Sequence, residues 1–311
     1  MPKLIKLILT CCLCIMITGC GVTHSNKRTI VTTSFPCYDF VRAVIGDTDT
    51  FEVKMLLKPG QDMHDYDPTP HDQIALTESD LIVCVGGESE SWMEDTIDGL
   101  KKDVNVMRMM ELVTLKEEEL KEGMEAEKGE EEEAEAEYDE HVWTSLKNAV
   151  TIIDAISHEI ATLDDDHKDD YLNNAHAYCD EIKTIDHSIQ TIVAHSNRKT
   201  LYFGDRFPLR YFVDDYGLDY YAAFPGCSEQ TEPSAKTLSQ LIERVRQDQV
   251  KMVLTIELSN GAVAKTIAEE TGCTIGTFQS GHNIALNDFN AGKTYVDLMK
   301  DNAEVLKEAL Q

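Results

Sequence analysis

Between Asp164 and Ser196 the apolar residues Tyr171, Ala175, Tyr178, Ile182, Ile185, Ile189 and Ile192 recur in alternating steps of four and three. A seam sustained over that length commits the segment to one helix of ~40 Å at ~1.5 Å per residue. The same spacing would suit one strand of a coiled coil. What flanks the seam favours a rigid strut between two lobes, because strand-helix alternation lies on both sides of it.

Upstream, residues 29–33, 51–57, 80–85 and 105–109 read as strands, and 38–45, 71–77, 91–100 and 146–163 as helices. Downstream, 199–203, 219–223, 250–256 and 273–278 read as strands. Residues 211–216, 234–247, 260–271 and 293–310 read as helices, two of them closed by Gly217 and Gly272. Alternation of this kind gives an α/β protein, here two lobes of parallel sheet covered by helices. The expected divisions are an N-terminal lobe over 29–165, a linker helix over 166–197 and a C-terminal lobe over 198–311. Ligands of such sheets bind beyond the carboxyl ends of the strands.

The first nineteen residues fall outside that pattern. Lys3 and Lys6 form a positive region, followed by an apolar run over 7–17 that is too short to span a bilayer comfortably. It ends in Ile17-Thr18-Gly19-Cys20, which resembles the lipobox of bacterial lipoproteins. That resemblance implies cleavage before Cys20, acylation of its thiol and a lipid anchor in the outer face of the cytoplasmic membrane. Residues 20–28 would then be tether.

The formal charge of −29 excludes a nucleic-acid partner and broad contact with an anionic membrane surface. Much of it sits between Glu117 and Glu140, where fourteen acidic residues accompany two Lys. With no apolar face to bury, 116–140 reads as a solvated loop, either without a role or as a weak collector of cations. Beyond the leader and Cys20, the cysteines are Cys37, Cys84, Cys179, Cys227 and Cys273. Their odd number and the lack of a Cys-x-x-Cys pair argue against a disulfide framework or a thiolate zinc site. They read as small buried apolar residues, with room for one bridge.

Two histidines stand in settings suited to a metal. His64 lies in Gly60-Gln61-Asp62-Met63-His64-Asp65-Tyr66-Asp67-Pro68, a turn held by Gly and Pro just after a strand. Nearby carboxylates there could orient its second ring nitrogen. His141 follows Asp139-Glu140 and precedes Val142-Trp143, where an aromatic can anchor the segment. The His64 loop could instead be a polar surface loop whose histidine has no role.

These two motifs, with Tyr211-Phe212, Tyr216-Gly217-Leu218, the run Ile267 to Gly272 and Lys293-Thr294-Tyr295, resemble one family in order and spacing. It is the lipid-anchored solute-binding proteins of bacterial zinc and manganese ABC importers, and the likeness covers essentially the whole chain after the leader. The resemblance implies two α/β lobes joined by one long helix, a metal between them, and a monomer that delivers its cargo to a membrane permease. It also implies that His64 and His141 are the ligands of the first lobe.

The second lobe departs from the family pattern. Where the family places a His or Glu, ten residues before the Tyr of Tyr-Gly-Leu, this chain has Arg206, which stays protonated and cannot ligate. The family's later carboxylate aligns near Gln279. Three residues further on, His282 stands as the replacement, with Asp205 and Glu257 as possible carboxylate ligands and Arg206 paired to a carboxylate such as Glu257. Imidazoles with a single carboxylate suit Zn2+ better than Mn2+, the alternative.

Other function classes find less support. His158-Glu159 begins like a zincin motif but the second His is absent, and there is neither a Gly-x-Ser-x-Gly around Ser89 nor a phosphate-binding Gly loop. An exported metallohydrolase and a surface adhesin without stoichiometric metal are the alternatives; no catalytic residue is assigned.

Overall fold

The computed structural model describes residues 27–64, 66–99, 104–124, 137–226 and 232–311. The leader, Cys20 and its tether as far as residue 26, residues 125–136 of the acidic tract and Cys227 lie outside the described residues.

In the first half, strands β1 (Arg28–Thr32), β2 (Phe51–Met55), β3 (Leu81–Cys84) and β4 (Asn105–Arg108) form one parallel sheet in the order β2-β1-β3-β4. All four residues of β3 are buried, as expected of a central strand covered on both faces. Helices α1 (Phe35–Ile45), α2 (Pro70–Glu78) and α3 (Trp92–Asp98) connect the strands, and α4 (Leu146–Leu163) follows the acidic tract. Local chemistry sets their starts. Thr69 and Asp72 form a reciprocal capping box at α2, and Ser145 accepts the Asn148 N–H at α4.

Helix α5 (Lys168–His195) spans 28 residues, or ~42 Å. Its buried stripe is Tyr171, Ala175, Cys179, Ile182, Ile185, Ile189 and Val193. Cys179 and Val193 thus take the inward positions that a strict four-three alternation gives to Tyr178 and Ile192. The alternation has a period of 3.5, and a straight helix drifts away from it. Tyr178 is part-buried at the edge of this stripe, and its hydroxyl donates to the buried Asp39 carboxylate on α1.

The second half begins with β5 (Thr200–Tyr202), followed by β6 (Arg206–Phe207), α6 (Arg210–Tyr216), β7 (Asp219–Tyr221), β8 (Phe224–Pro225) and α7 (Ala235–Gln247). It continues with β9 (Met252–Ile256), α8 (Ala262–Thr271), β10 (Thr274–Phe278), α9 (Leu286–Asn290) and α10 (Tyr295–Ala309). The ladders β5-β7 and β9-β10 are parallel. A parallel bridge between Phe203 and Leu254 joins them, with the Gly204 N–H donating to the Leu254 carbonyl at 2.9 Å. Gly204 is required at this crossing, since a Cβ there would lie 2.5 Å from the Ala264 backbone. The two-residue ladder β6-β8 and the short α9 carry too few residues to show a period, and the sequence pattern does not reveal them.

The long helix is a packed spine. It lies against α1 and α4 of the first half and α10 of the second, and one apolar cluster runs through all of them. The described ends of the acidic tract also touch the second half, through Lys116–Asp214, Glu119–Arg210 and Lys121–Asp219 ion pairs. Cys37, Cys84, Cys179 and Cys273 are free thiols, and burial pushes Cys37 up to about 12. Among the described residues no helix is long and apolar enough to cross a membrane.

Candidate metal centre

His64 sits on the loop that leaves β2, with Met63 buried beneath it and the His64 N–H donating to Asp62 Oδ1 at 3.1 Å. Its Nδ1 lies 3.0 Å from Ser89 Oγ, and that hydroxyl donates its single proton to Glu140 Oε2 at 2.6 Å. The oxygen can therefore only accept from the ring, so Nδ1 carries the hydrogen and Nε2 keeps its lone pair. Glu140 is fixed in turn by the Ser89 N–H, 2.8 Å from Oε1. Gly87 makes room for this carboxylate, because a Cβ there would fall 2.3 Å from Glu140 Cδ.

His141 is oriented more directly. Asp139 Oδ1 accepts both the His141 backbone N–H at 2.8 Å and the ring Nδ1–H at 3.1 Å, which again leaves Nε2 as the electron-pair donor. The Asp139 carbonyl accepts the Tyr211 hydroxyl at 2.8 Å, tying this segment to the second half. Trp143, fully buried, packs its ring 5.4 Å from His141 and 5.7 Å from His282.

His282 arrives from the other side, on the loop after β10. Glu257 holds that loop by its backbone. Its carboxylate accepts the Ser280 N–H and O–H, each at 2.6 Å, and the His282 N–H at 3.2 Å. Trp143 Nε1–H donates to the Ser280 carbonyl at 2.9 Å. Asn283 then donates its amide hydrogens to the Lys58 and Gln61 carbonyls at 2.8 and 2.6 Å, locking the His282 loop onto the His64 loop.

The result is a cluster of three imidazoles. Ring centroids are 5.8 Å apart for His64–His141, 4.9 Å for His64–His282 and 5.4 Å for His141–His282. One ring nitrogen of each lies within 4.8 Å of the others. The Nε2 atoms of all three are buried without a hydrogen-bond partner. Three buried Nε2 atoms without a partner, on rings packed this closely, would be costly unless a shared partner sits between them. Two ~2.1 Å bonds at a tetrahedral angle put their nitrogens ~3.4 Å apart, so a zinc-sized ion would draw the rings slightly inward.

Their electrostatics differ. Burial pushes His64 down to about 4, helped by His141, and holds His282 well below the usual histidine range, helped by the other two rings and Arg206. Both are neutral donors at neutral pH. Burial also opposes charge on His141, but Asp139, with Glu140 and Glu118, outweighs it and raises its proton affinity.

The two expected carboxylate ligands face elsewhere. Asp205 Oδ1 accepts the Arg206 N–H at 2.9 Å, while Oδ2 takes the Thr255 hydroxyl and the Ile256 N–H. Glu257 is occupied by the His282 loop, and burial raises its proton affinity. Arg206 does not pair with Glu257. Its Nη2 lies 2.5 Å from Asp62 Oδ2, in the opposite half, because Glu257 is already enclosed by three donors. Sequence reasoning weighed Ser89 only as a nucleophile, gave Asn283 no role, and assigned Glu140 to the solvated tract although it is buried.

The family described as zinc-uptake complex component A, periplasmic, matches residues 30–309. This chain belongs to that family. It is 27% identical over 314 residues to the zinc-binding lipoprotein AdcA of Streptococcus pneumoniae, covering 98% of this chain and 61% of AdcA. It therefore spans about three fifths of the length of that relative. The high-affinity zinc uptake system protein ZnuA of Bacillus subtilis is 26% identical over 306 residues, covering 94% of this chain and 90% of ZnuA. The crystal structure of the Zn(II)-bound ZnuA-like domain of S. pneumoniae AdcA superposes with a TM-score of 0.75 at 26% identity, covering 91% of this chain and 99% of that domain. The component A family is thus one of two-lobed α/β solute-binding proteins, as the sequence motifs implied.

Proposed function

We propose that this chain captures zinc outside the cytoplasm, on His64, His141 and His282, and delivers it to the permease of an ABC importer. The observation that carries this reading is the convergence of three buried, unpartnered Nε2 atoms from both halves of the molecule. The names of its relatives support zinc over manganese, and so does the chemistry of three borderline imidazoles with no carboxylate in the cluster among the described residues. Asp205 and Glu257 fit positioning roles better than ligation, since their oxygens are taken by backbone and hydroxyl donors.

Location and partners belong to the same proposal. Acylation at Cys20 would hold a monomer at the outer face of the cytoplasmic membrane, within reach of the permease. The reading includes no chemical step and no catalytic residue. Elemental analysis of the purified protein, followed by competition between zinc and manganese against a chelator, tests it directly. One zinc per chain, displaced only by large manganese excess, is the expected result. A protein that binds neither ion would remove the reading.

A further inference from the structure

Asp62 is the carboxylate of His64's own turn. It stands two residues before that ligand, and one of its oxygens receives the His64 N–H at 3.1 Å. Its other oxygen lies 2.5 Å from Arg206 Nη2, and the pair is substantially buried, with side chains 29% and 19% exposed. Arg206 is held from behind, because Asp205, which precedes it, is fixed to β9 through Thr255 and Ile256. The ion pair therefore bridges the two halves at the edge of the histidine cluster, where the Arg206 charge is felt by both His64 and His282.

We propose that Arg206 is a selectivity residue: by holding Asp62 it keeps a carboxylate out of the cation's shell and leaves a site of imidazoles, which zinc accepts and manganese does not. Zinc binds readily through nitrogen alone, whereas manganese needs oxygen donors. A guanidinium suits the task because it cannot lose its proton and grips a carboxylate through a rigid fork. Its charge also stands beside the incoming cation, a cost that only an ion with strong imidazole bonds offsets. Without the guanidinium, the Asp62 oxygen that faces it loses that partner and is released to turn toward the cation. This inference rests on the reading that the cluster holds a divalent cation.

The test compares zinc and manganese affinities by chelator competition for the wild type, Arg206→Met, Arg206→Gln and Arg206→Met combined with Asp62→Asn. In the Arg206 variants manganese should bind at least tenfold tighter, with zinc changed less than about threefold. Adding Asp62→Asn should cancel the manganese gain. If Arg206 merely fastened the halves together, both metals would weaken in parallel, and that outcome overturns the proposal. A manganese gain that survives Asp62→Asn overturns it too, since the oxygen would then come from elsewhere. Far-ultraviolet circular dichroism of the metal-free variants identifies any that fail to fold, and the two Arg206 replacements differ enough that one should remain testable. Absence of zinc from the wild type would defeat the underlying reading, whereas zinc bound with an unchanged ratio in both Arg206 variants would defeat this inference alone.

Discussion

The two halves hold their histidines in different ways. In the first half a carboxylate stands behind each ring: Asp139 directly on His141, and Glu140 through the Ser89 hydroxyl on His64. In the second half Glu257 grips the backbone and the Ser280 hydroxyl beside His282 rather than the His282 ring. A carboxylate behind an imidazole sets its tautomer and raises its basicity, whereas a carboxylate behind the backbone sets only position. The pKa directions follow the carboxylate only where it touches the ring: His141, on Asp139, is raised, whereas burial depresses both His64, reached through Ser89, and His282. The first half supplies the strong donor, and the second completes the shell when the loops meet.

The largest effect expected is from removing a nitrogen. His64→Ala, His141→Ala and His282→Ala should each weaken zinc by more than the ~10–100-fold that loss of an outer partner costs. The metal-free proteins should stay folded, because the cluster adds little to the cores around it. Isothermal titration with a competing chelator measures this. Wild-type affinity in the His282 variant would break the comparison at its root by leaving the site to the first half.

Next in size is the difference between the supporting carboxylates. Asp139→Asn keeps the shape but cannot favour the Nδ1–H tautomer in the same way, and should cost ~10–100-fold in zinc affinity. Ser89→Ala breaks the relay to Glu140 and should fall at the low end of that range. Glu257→Gln still accepts a backbone N–H, so its effect on affinity should be smaller than that of Asp139→Asn. An equal loss at Glu257 would show that loop position counts for as much as ring orientation.

One buried carboxylate of the first half, Glu90, also costs stability at high pH. Glu90, next to Ser89, is wholly buried, and burial, with Glu140 nearby, moves its pKa from 4.5 up to about 7. The folded state therefore binds a proton that the unfolded state gives up between those values. This favours folding below pH 4.5, and the benefit is lost as pH rises through 7. Glu90→Gln mimics the protonated form, so metal-free variant and wild type should match near pH 4.5, while the variant is more stable at pH 8, by at most ~3 kcal/mol. Urea denaturation at the two pH values checks the sign. A variant less stable at pH 8 would reverse it.

How much of this could be read from the chain follows from sequence separation. The parallel α/β plan and the long helix were legible because periodicity is local, and α4 has the bounds its pattern predicts. His64 and His141 stood out by the motifs around them, and His282 by its place near a ligand position of the family pattern. Their partners did not, because Ser89 and Glu140 are 51 residues apart, Asn283 and Gln61 222, and Arg206 and Asp62 144. Contacts at such range leave no repeat to find. Asp139 and Glu140 were visible beside His141 but merged with the acidic run, although they are 1% and 3% exposed. Burial, not composition, separates these two from the rest of the tract.

That separation gives the smallest effect, and the one that sharpens where the site ends. Residues 125–136 carry seven Glu and one Lys. On both sides of them the chain is already closed: Glu117 bridges Tyr138, the Glu118 N–H reaches the Glu137 carbonyl at 2.8 Å, and the Asp139 N–H reaches the Lys116 carbonyl at 2.9 Å. Replacing 125–136 by a short Gly-Ser linker should therefore leave Asp139, Glu140 and His141 in place and change equilibrium zinc affinity by no more than about twofold. Concentrated negative charge still draws cations at a distance, which acts on the rate of encounter rather than on the bound state. The association rate should fall in the deletion variant at low salt and match the wild type at high ionic strength, where the screening length shrinks to a few ångströms. Stopped-flow mixing with a fluorescent chelator separates the two quantities. If equilibrium affinity drops with the deletion at every salt concentration, the tract supplies ligands of its own, and the three-histidine cluster is not the whole shell.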